Sequence, residues 1–234
     1  MNKMTAVATA GLAAVSLSFA LVGCGSDSKT DTKTSTSTST STSTSTSTSA
    51  ETSASPTPAA GKSKTIQDYL KENQITEAPV KRGDPGSPTI DLPIPDGWEP
   101  AGADTPDWAY GAIVYTGPDA GDYTPSIVAL VSKLTGNVDP QKIIDLAPGE
   151  LNNLPGWKAM NEGETSTLGE YPAFQLGGTW TQDGETKIVA QKTVVIPGSD
   201  GLYVLQLNAD GLENQKELIG AATDVIDTDT KITP

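Results

Sequence analysis

The chain contains no histidine and a single cysteine, Cys24, in 234 residues. The first absence excludes Ser-His-Asp and Cys-His nucleophile arrangements. It also excludes the Cys/His zinc sites and acid–base work by imidazole. The second excludes a disulfide framework. Basic residues are scarce: 15 Lys and Arg stand against 29 Asp and Glu, a formal net charge of −14. Three of those acids and five of those bases precede Thr65, so residues 65–234 carry 26 acids, ten bases and a net charge of −16. A nucleic-acid-binding surface needs a basic face, and this charge balance argues against one. The same balance argues against a polybasic grip on anionic lipid. The full G-x-x-x-x-G-K-S/T phosphate loop and the D-x-D-x-D-G calcium loop are both absent. Carboxylate chemistry, a Ser/Lys pair and oxygen-ligand metals remain open.

What is present begins with a leader. Met1-Asn2-Lys3 is a short positive start, and Met4 to Val22 is uncharged and rich in Ala, Val and Leu. This is the build of a signal-peptide core. It ends in Leu21-Val22-Gly23-Cys24, which matches the Leu-x-Gly-Cys lipobox of bacterial lipoproteins. The match implies cleavage before Cys24, then a lipid thioether on its sulfur and an acyl chain, palmitate or similar, on its new amine. The competing reading is an uncleaved spanning helix with an incidental cysteine, since the apolar run approaches the roughly 20 residues a span needs. The only cysteine falls where that run stops and a polar tract begins, which favours the anchor. At about 0.8 kcal/mol per buried methylene, several acyl chains hold such a protein stably.

Residues 24–64 read as a tether. Thr34 to Ser49 alternates Thr and Ser without a break, and there is almost no apolar mass to offset the entropy of folding. Its 41 residues, treated as flexible coil, reach roughly 30–40 Å root-mean-square. The composition also suits O-glycosylation.

Residues 65–234 read as one domain. Thr65-Ile66-Gln67-Asp68 is a capping box with Asp in place of Glu, so a short helix to about Asn73 is expected. Pro79 to Gly97 is rich in Pro and Gly, with room for a brief strand at Thr89–Leu92. Ala109–Thr116 and Ser126–Leu134 read as strands. Asp139-Pro140 starts a helix that Pro148-Gly149 kinks or breaks. Four strands follow: Trp157–Leu168, Ala173–Gln182, Thr186–Ile196 and Gly201–Asn208. Asp183-Gly184 reads as a hairpin turn. Leu218, Ile219, Ala222, Val225 and Ile226 recur at helical spacing. The pattern predicts an α+β fold, a mostly antiparallel sheet flanked by helices. Gly177-Gly178 inside a strand suggests a bulge, or the close approach of a ligand or another backbone, with the bulge favoured.

Two groups of side chains suggest a site. Asp96, Glu99, Asp104 and Asp107 crowd one loop, and Asp119 and Asp122 the next. So acidic a chain produces such clusters as solvated loops. A glycosidase would need two of them across a cleft. The aromatics Trp98, Trp108, Tyr110 and Tyr115 gather around the first long strand, and Trp157, Tyr171, Phe174 and Trp180 in the later strands. Most such residues in a small domain are core. Trp108 follows Asp104 and Asp107 directly on a loop, an aromatic face beside hydroxyl acceptors, as sugar recognition uses. The ligand-binding candidates are therefore Trp98, Asp104, Asp107, Trp108, Tyr110, Tyr115, Trp157 and Trp180. No catalytic residue, metal or cofactor is expected.

The segments Thr65–Leu70, Pro79-Val80-Lys81-Arg82-Gly83-Asp84-Pro85-Gly86, Leu92-Pro93-Ile94-Pro95-Asp96-Gly97-Trp98, Leu146–Leu151 and Val225-Ile226-Asp227 together resemble the mycobacterial LpqN/LpqT lipoprotein family. The resemblance implies a Mog1/PsbP-like α-β-α sandwich. It implies a lipid-anchored protein on the outer face of the cytoplasmic membrane, in a periplasm-like envelope compartment, with a secreted fraction also compatible. It implies binding of a trehalose monomycolate-like glycolipid and assistance to RND-type mycolate transporters in envelope biogenesis. A pathogen member is linked to a host ubiquitin-ligase partner. Two alternatives stay open: an interaction scaffold or host-factor-binding lipoprotein without lipid ligand, and a carboxylate hydrolase of envelope sugars or esters. The resemblance carries no ligand motif, so the candidate residues rest on residue type and loop position.

Overall fold

The computed structural model describes residues 61–234 apart from Asp119 and Asp122. The leader, Cys24 and the Ser/Thr tether lie outside the described residues. The expected capping box opens helix α1 (Ile66–Glu72): Asp68 N donates to Thr65 Oγ1, and Thr65 N donates back to the Asp68 carboxylate. Strands β1 (Thr76–Pro79), β2 (Thr89–Asp91) and β3 (Trp98–Pro100) follow, then a short 3-10 turn, β4 (Gly111–Tyr115) and β5 (Ser126–Thr135). Asp139 caps α2 (Pro140–Leu146), its carboxylate accepting from Gln141 N at 2.9 Å. Pro148 separates α2 from α3 (Gly149–Asn152). The remaining elements are β6 (Trp157–Ala159), β7 (Glu164–Leu168), β8 (Tyr171–Gln182), β9 (Glu185–Pro197), β10 (Leu202–Leu212), α4 (Lys216–Asp229) and β11 (Lys231–Thr233).

Nine strands form one antiparallel sheet in the order β3-β4-β5-β10-β9-β8-β6. β1 shares the outer edge of β5 with β4, and β7 shares the outer edge of β8 with β6. β11 and β2 make a separate antiparallel pair. The tight β8–β9 turn needs left-handed backbone at both positions, and Asp183 and Gly184 supply it with φ of 53° and 85°.

Alternation along the strands assigns each face. Val194 and Leu205 point into a core with Ile219, Ala222 and Ile226 of α4. Their neighbours Val195 and Val204 point the other way, against Leu70 of α1 and Ile143 and Ile144 of α2. Helices therefore cover both faces, in agreement with the α+β pattern. Among the described residues, no helix is long and apolar enough to cross a membrane.

Three expectations change. The segment Trp157–Leu168 is two strands, because the ladder breaks where residues 160–163 stand opposite only Leu176 and Gly177 of β8, and the surplus chain turns through Gly163 at φ 77° against Phe174. β1, β3 and β11 are strands that the sequence pattern does not predict. Gly177-Gly178 is not a bulge, since the β8–β9 register runs unbroken from Ala173↔Val194 to Gln182↔Glu185. The close-approach alternative holds: a Cβ on Gly178 would meet Lys158 O and the Trp157 ring at 2.5 Å each.

Candidate functional site

The sheet is wider than one helix can cover. From β5 to β8 the four central strands span about 14 Å, while a helix with its side chains is about 10–12 Å across. α4 packs on β10 and touches β7. Beside it, over β9 and β8, a cleft of about 190 Å³ remains. Its walls are Thr223, Asp224, Ile226 and Asp227 of α4, with Asn161 from the β6–β7 turn.

Two adjacent cross-strand rows make the floor. Ile127, Ala209, Ala190 and Gly177 are successive partners across β5, β10, β9 and β8. Three of the four are small, so this row leaves an apolar trough where larger residues would have filled the space. Two residues along each strand, the next row is Leu207, Lys192, Gln175 and Glu164. That row is polar over three of its four positions. The trough is thus amphipathic across its width, a direct product of period-two alternation and register.

The polar row is tied together. Lys192 is buried on β9, and its Nζ donates to Asp227 of α4 at 2.7 Å and to Thr167 O at 3.5 Å. Burying the ammonium is tolerable because it is paired and hydrogen-bonded. Gln175 Nε2 donates to Glu164 Oε1 at 2.7 Å, and Gln175 Oε1 accepts from Ser166 Oγ at 3.2 Å. A Cβ on Gly177 would lie 3.2 Å from Met160 Cε, so the half-exposed Met160 thioether forms an adaptable rim. Thr223, the one hydroxyl side chain on the lining, is turned to its own helix, with Oγ1 donating to Gly220 O at 2.9 Å. The lining offers hydrogen-bond acceptors, a few donors and an apolar floor. Those are binding contacts for an amphipathic molecule.

The eight sequence-derived candidates lie elsewhere and do not come together. Trp98 and Tyr115 are buried cross-strand partners in a T-shaped pair, with centroids 5.7 Å apart. Tyr110 is buried under the Arg82 guanidinium, 5.1 Å from its ring centroid, and its hydroxyl accepts from Ile90 N. Trp157 and Trp180 are partners on β6 and β8, on the opposite sheet face from the cleft, where they pack with Leu151, Leu176 and Val189. Trp180 Nε1 donates to Pro155 O at 3.0 Å. Asp104 and Asp107 are exposed, as is Trp108 at 41%. None of the eight lines the cleft.

The lining residues carry two signals that a sequence reading can use. One is Gly177-Gly178 in a strand. The other is Lys192, a lone cation inside the apolar run from Ile188 to Ile196.

Other buried ionisable groups sit outside the cleft. On the opposite face, Asp210 accepts from Ser126 Oγ at 2.7 Å and from Tyr123 OH, and Lys187 Nζ donates to that same phenol oxygen at 3.2 Å. Burial and the Asp210 charge push the Tyr123 phenol above its ordinary range. Burial likewise raises Asp210, against the pull of its two hydroxyl donors and Lys187. With Gln215 Nε2 donating to Ala120 O and Tyr123 O, this network fastens the loop before β5 to the sheet. On α3, burial raises Glu150 to about 7, with the charges of Glu77 and Asp68 adding to the rise. Among the described residues, no group of three or more acids, cysteines or histidines is placed to hold a metal ion.

Comparison with known proteins agrees with the fold. The sequence pattern of the family described as "Probable lipoprotein LpqN" matches residues 62–233. Lipoprotein LpqN of Mycobacterium tuberculosis is 53% identical over 228 residues, 97% of this chain and 98% of that protein. The crystal structure of LpqN, described as involved in cell envelope biogenesis of Mycobacterium tuberculosis, superposes with a TM-score of 0.70. It is 50% identical and covers 74% of this chain and all of that one. Lipoproteins are envelope proteins held at a membrane by lipid, and the sandwich, the matched span and the near full-length identity together show that this chain belongs to the LpqN lipoprotein family.

Proposed function

We propose that the domain is a non-catalytic receptor for a neutral glycolipid of the trehalose monomycolate type. In this reading it stands on the outer face of the cytoplasmic membrane on a lipidated Cys24, and serves RND-type mycolate transporters during envelope biogenesis. The observation that carries the reading is the amphipathic trough: a row of Ile127, Ala209, Ala190 and Gly177 suits methylenes, and the adjoining Lys192, Gln175 and Glu164 suit hydroxyls. Ligand pockets for whole drug-sized molecules run to about 300–1,000 Å³. At about 190 Å³ the trough takes one sugar ring with the adjoining stretch of acyl chain and leaves the rest of a long lipid outside. The envelope role of the LpqN relative supports the setting. A tether of roughly 30–40 Å would hold the domain at high effective concentration near an exporter in the same membrane.

The test is titration of the full chain with a short-chain trehalose ester, with native mass spectrometry to detect the adduct. The wild type binds, and Ala190→Leu, which fills the trough, loses at least tenfold in affinity while its melting stays cooperative. Absence of any adduct, or unchanged affinity in a folded Ala190→Leu, overturns the reading. A second reading rests on the exposure of Trp108 beside Asp104 and Asp107. It requires Trp108→Ala to weaken binding and Ala190→Leu to leave it intact.

A further inference from the structure

We infer that the polar row of the trough selects uncharged polyol headgroups and rejects anionic ones. The inference rests on the binding reading above and adds its selectivity. The lining holds three carboxylates, Glu164, Asp224 and Asp227, and one ammonium, Lys192. Lys192 is committed to Asp227 at 2.7 Å, so its charge is largely answered within the protein. Glu164 and Asp224 remain, a formal excess of two negative charges at the place where a headgroup would lie. Around them the whole domain is strongly acidic.

Hydrogen-bond chemistry points the same way. A sugar hydroxyl both donates and accepts, so it can give protons to carboxylates and take one from Lys192 or from Gln175. A sulfate or phosphodiester group only accepts. Against a row dominated by acceptors it loses partners that water had supplied, and meets like charge as well. At a separation of about 6 Å and an effective dielectric of about 40, each uncompensated carboxylate weakens an anion by about tenfold. The consequence is that ordinary anionic membrane lipids stay out of the trough even where they outnumber the glycolipid.

The experiment compares a neutral and an anionic amphiphile of equal chain length, decyl glucoside and decyl sulfate, titrated below their micelle concentrations into the full chain in low salt. The expected result is that decyl sulfate binds at least tenfold more weakly than decyl glucoside. The ratio narrows toward one in 0.5 M NaCl and in a Glu164→Gln/Asp224→Asn double variant, and widens in Lys192→Gln. The two opposite directions keep the test sharp should one variant fold poorly. If both amphiphiles bind the wild type within twofold of each other, or the ratio ignores the charge changes, the selectivity is wrong while the trough survives as a binding site. If neither binds, the binding reading itself fails and the selectivity with it.

Discussion

Replacing Glu150 by Gln removes a carboxyl that the fold holds in an unfavourable place. Glu150 stands on α3 beside the point where the chain enters the domain; there Asn153 and Ser63 exchange two hydrogen bonds of 2.8 Å. Its Oε2 is buried without a hydrogen-bond partner, and burial together with Glu77 and Asp68 lifts it from the ordinary 4.5 to about 7. Because the folded state keeps this proton more tightly than the unfolded chain, the group costs nothing below about pH 4.5. Stability then falls as the pH rises to about 7 and levels off above it. The rise converts to as much as about 3 kcal/mol, a large part of the 5–15 kcal/mol typical of a domain. Glu150→Gln keeps the shape and removes the titration. Urea denaturation of both proteins at pH 4.5 and pH 8 measures the difference, and subtracting one from the other cancels other titrating groups such as Asp210. The variant is expected to gain about 2–3 kcal/mol at pH 8 and less than about 0.5 kcal/mol at pH 4.5. A gain equal at both pH values, or a loss at pH 8, refutes the reasoning.

Gly178→Ala forces a Cβ against Lys158 O and the Trp157 ring and should cost about 1–3 kcal/mol in chemical denaturation, through loss of the β6–β8 pairing. Gly177→Ala meets the movable Met160 Cε at 3.2 Å and Val189 O at an ordinary 3.8 Å, and should stay within about 0.5 kcal/mol of the wild type or gain slightly. Equal costs at the two sites would contradict the packing described. Tyr123→Phe withdraws a donor from the buried Asp210 and an acceptor from Lys187, and should cost about 1–3 kcal/mol by the same measurement. A change under about 0.3 kcal/mol would show that the network does not hold its loop.

Local chemistry makes several elements legible in the amino-acid sequence. Thr65 with Asp68 marks α1, Asp139-Pro140 marks α2, Asp183-Gly184 the β8–β9 turn, and the stripe from Leu218 to Ile226 marks α4. Each is a signal within one short segment. β1 has no such signal, being four residues that end in proline. It is a strand because Thr76–Pro79 pairs with Ser132–Thr135 along an edge of β5 that β4 leaves free. The trough is hidden in the sequence for the same reason. Gly177-Gly178 stands out in a strand, but Ala190 and Ala209 are ordinary small residues until the register of three strands sets them beside Gly177. Aromatics stand out in a sequence because they are large, yet the space in this domain is left by residues that are small. Trp98, Tyr110 and Tyr115 belong to the core, as bulk apolar area in a modest domain tends to.

The measurement that bears most directly on the trough is methyl NMR on the full chain carrying alanine labelled at Cβ, titrated with a short-chain trehalose ester. Ala190 and Ala209 should shift first and show contacts to the ligand's acyl protons, while Ala101, Ala109 and Ala112, which pack together on the opposite face of the sheet, stay still. Shifts confined to Ala101, Ala109 and Ala112, or none at saturating ligand, would contradict the assignment of the trough as the binding site.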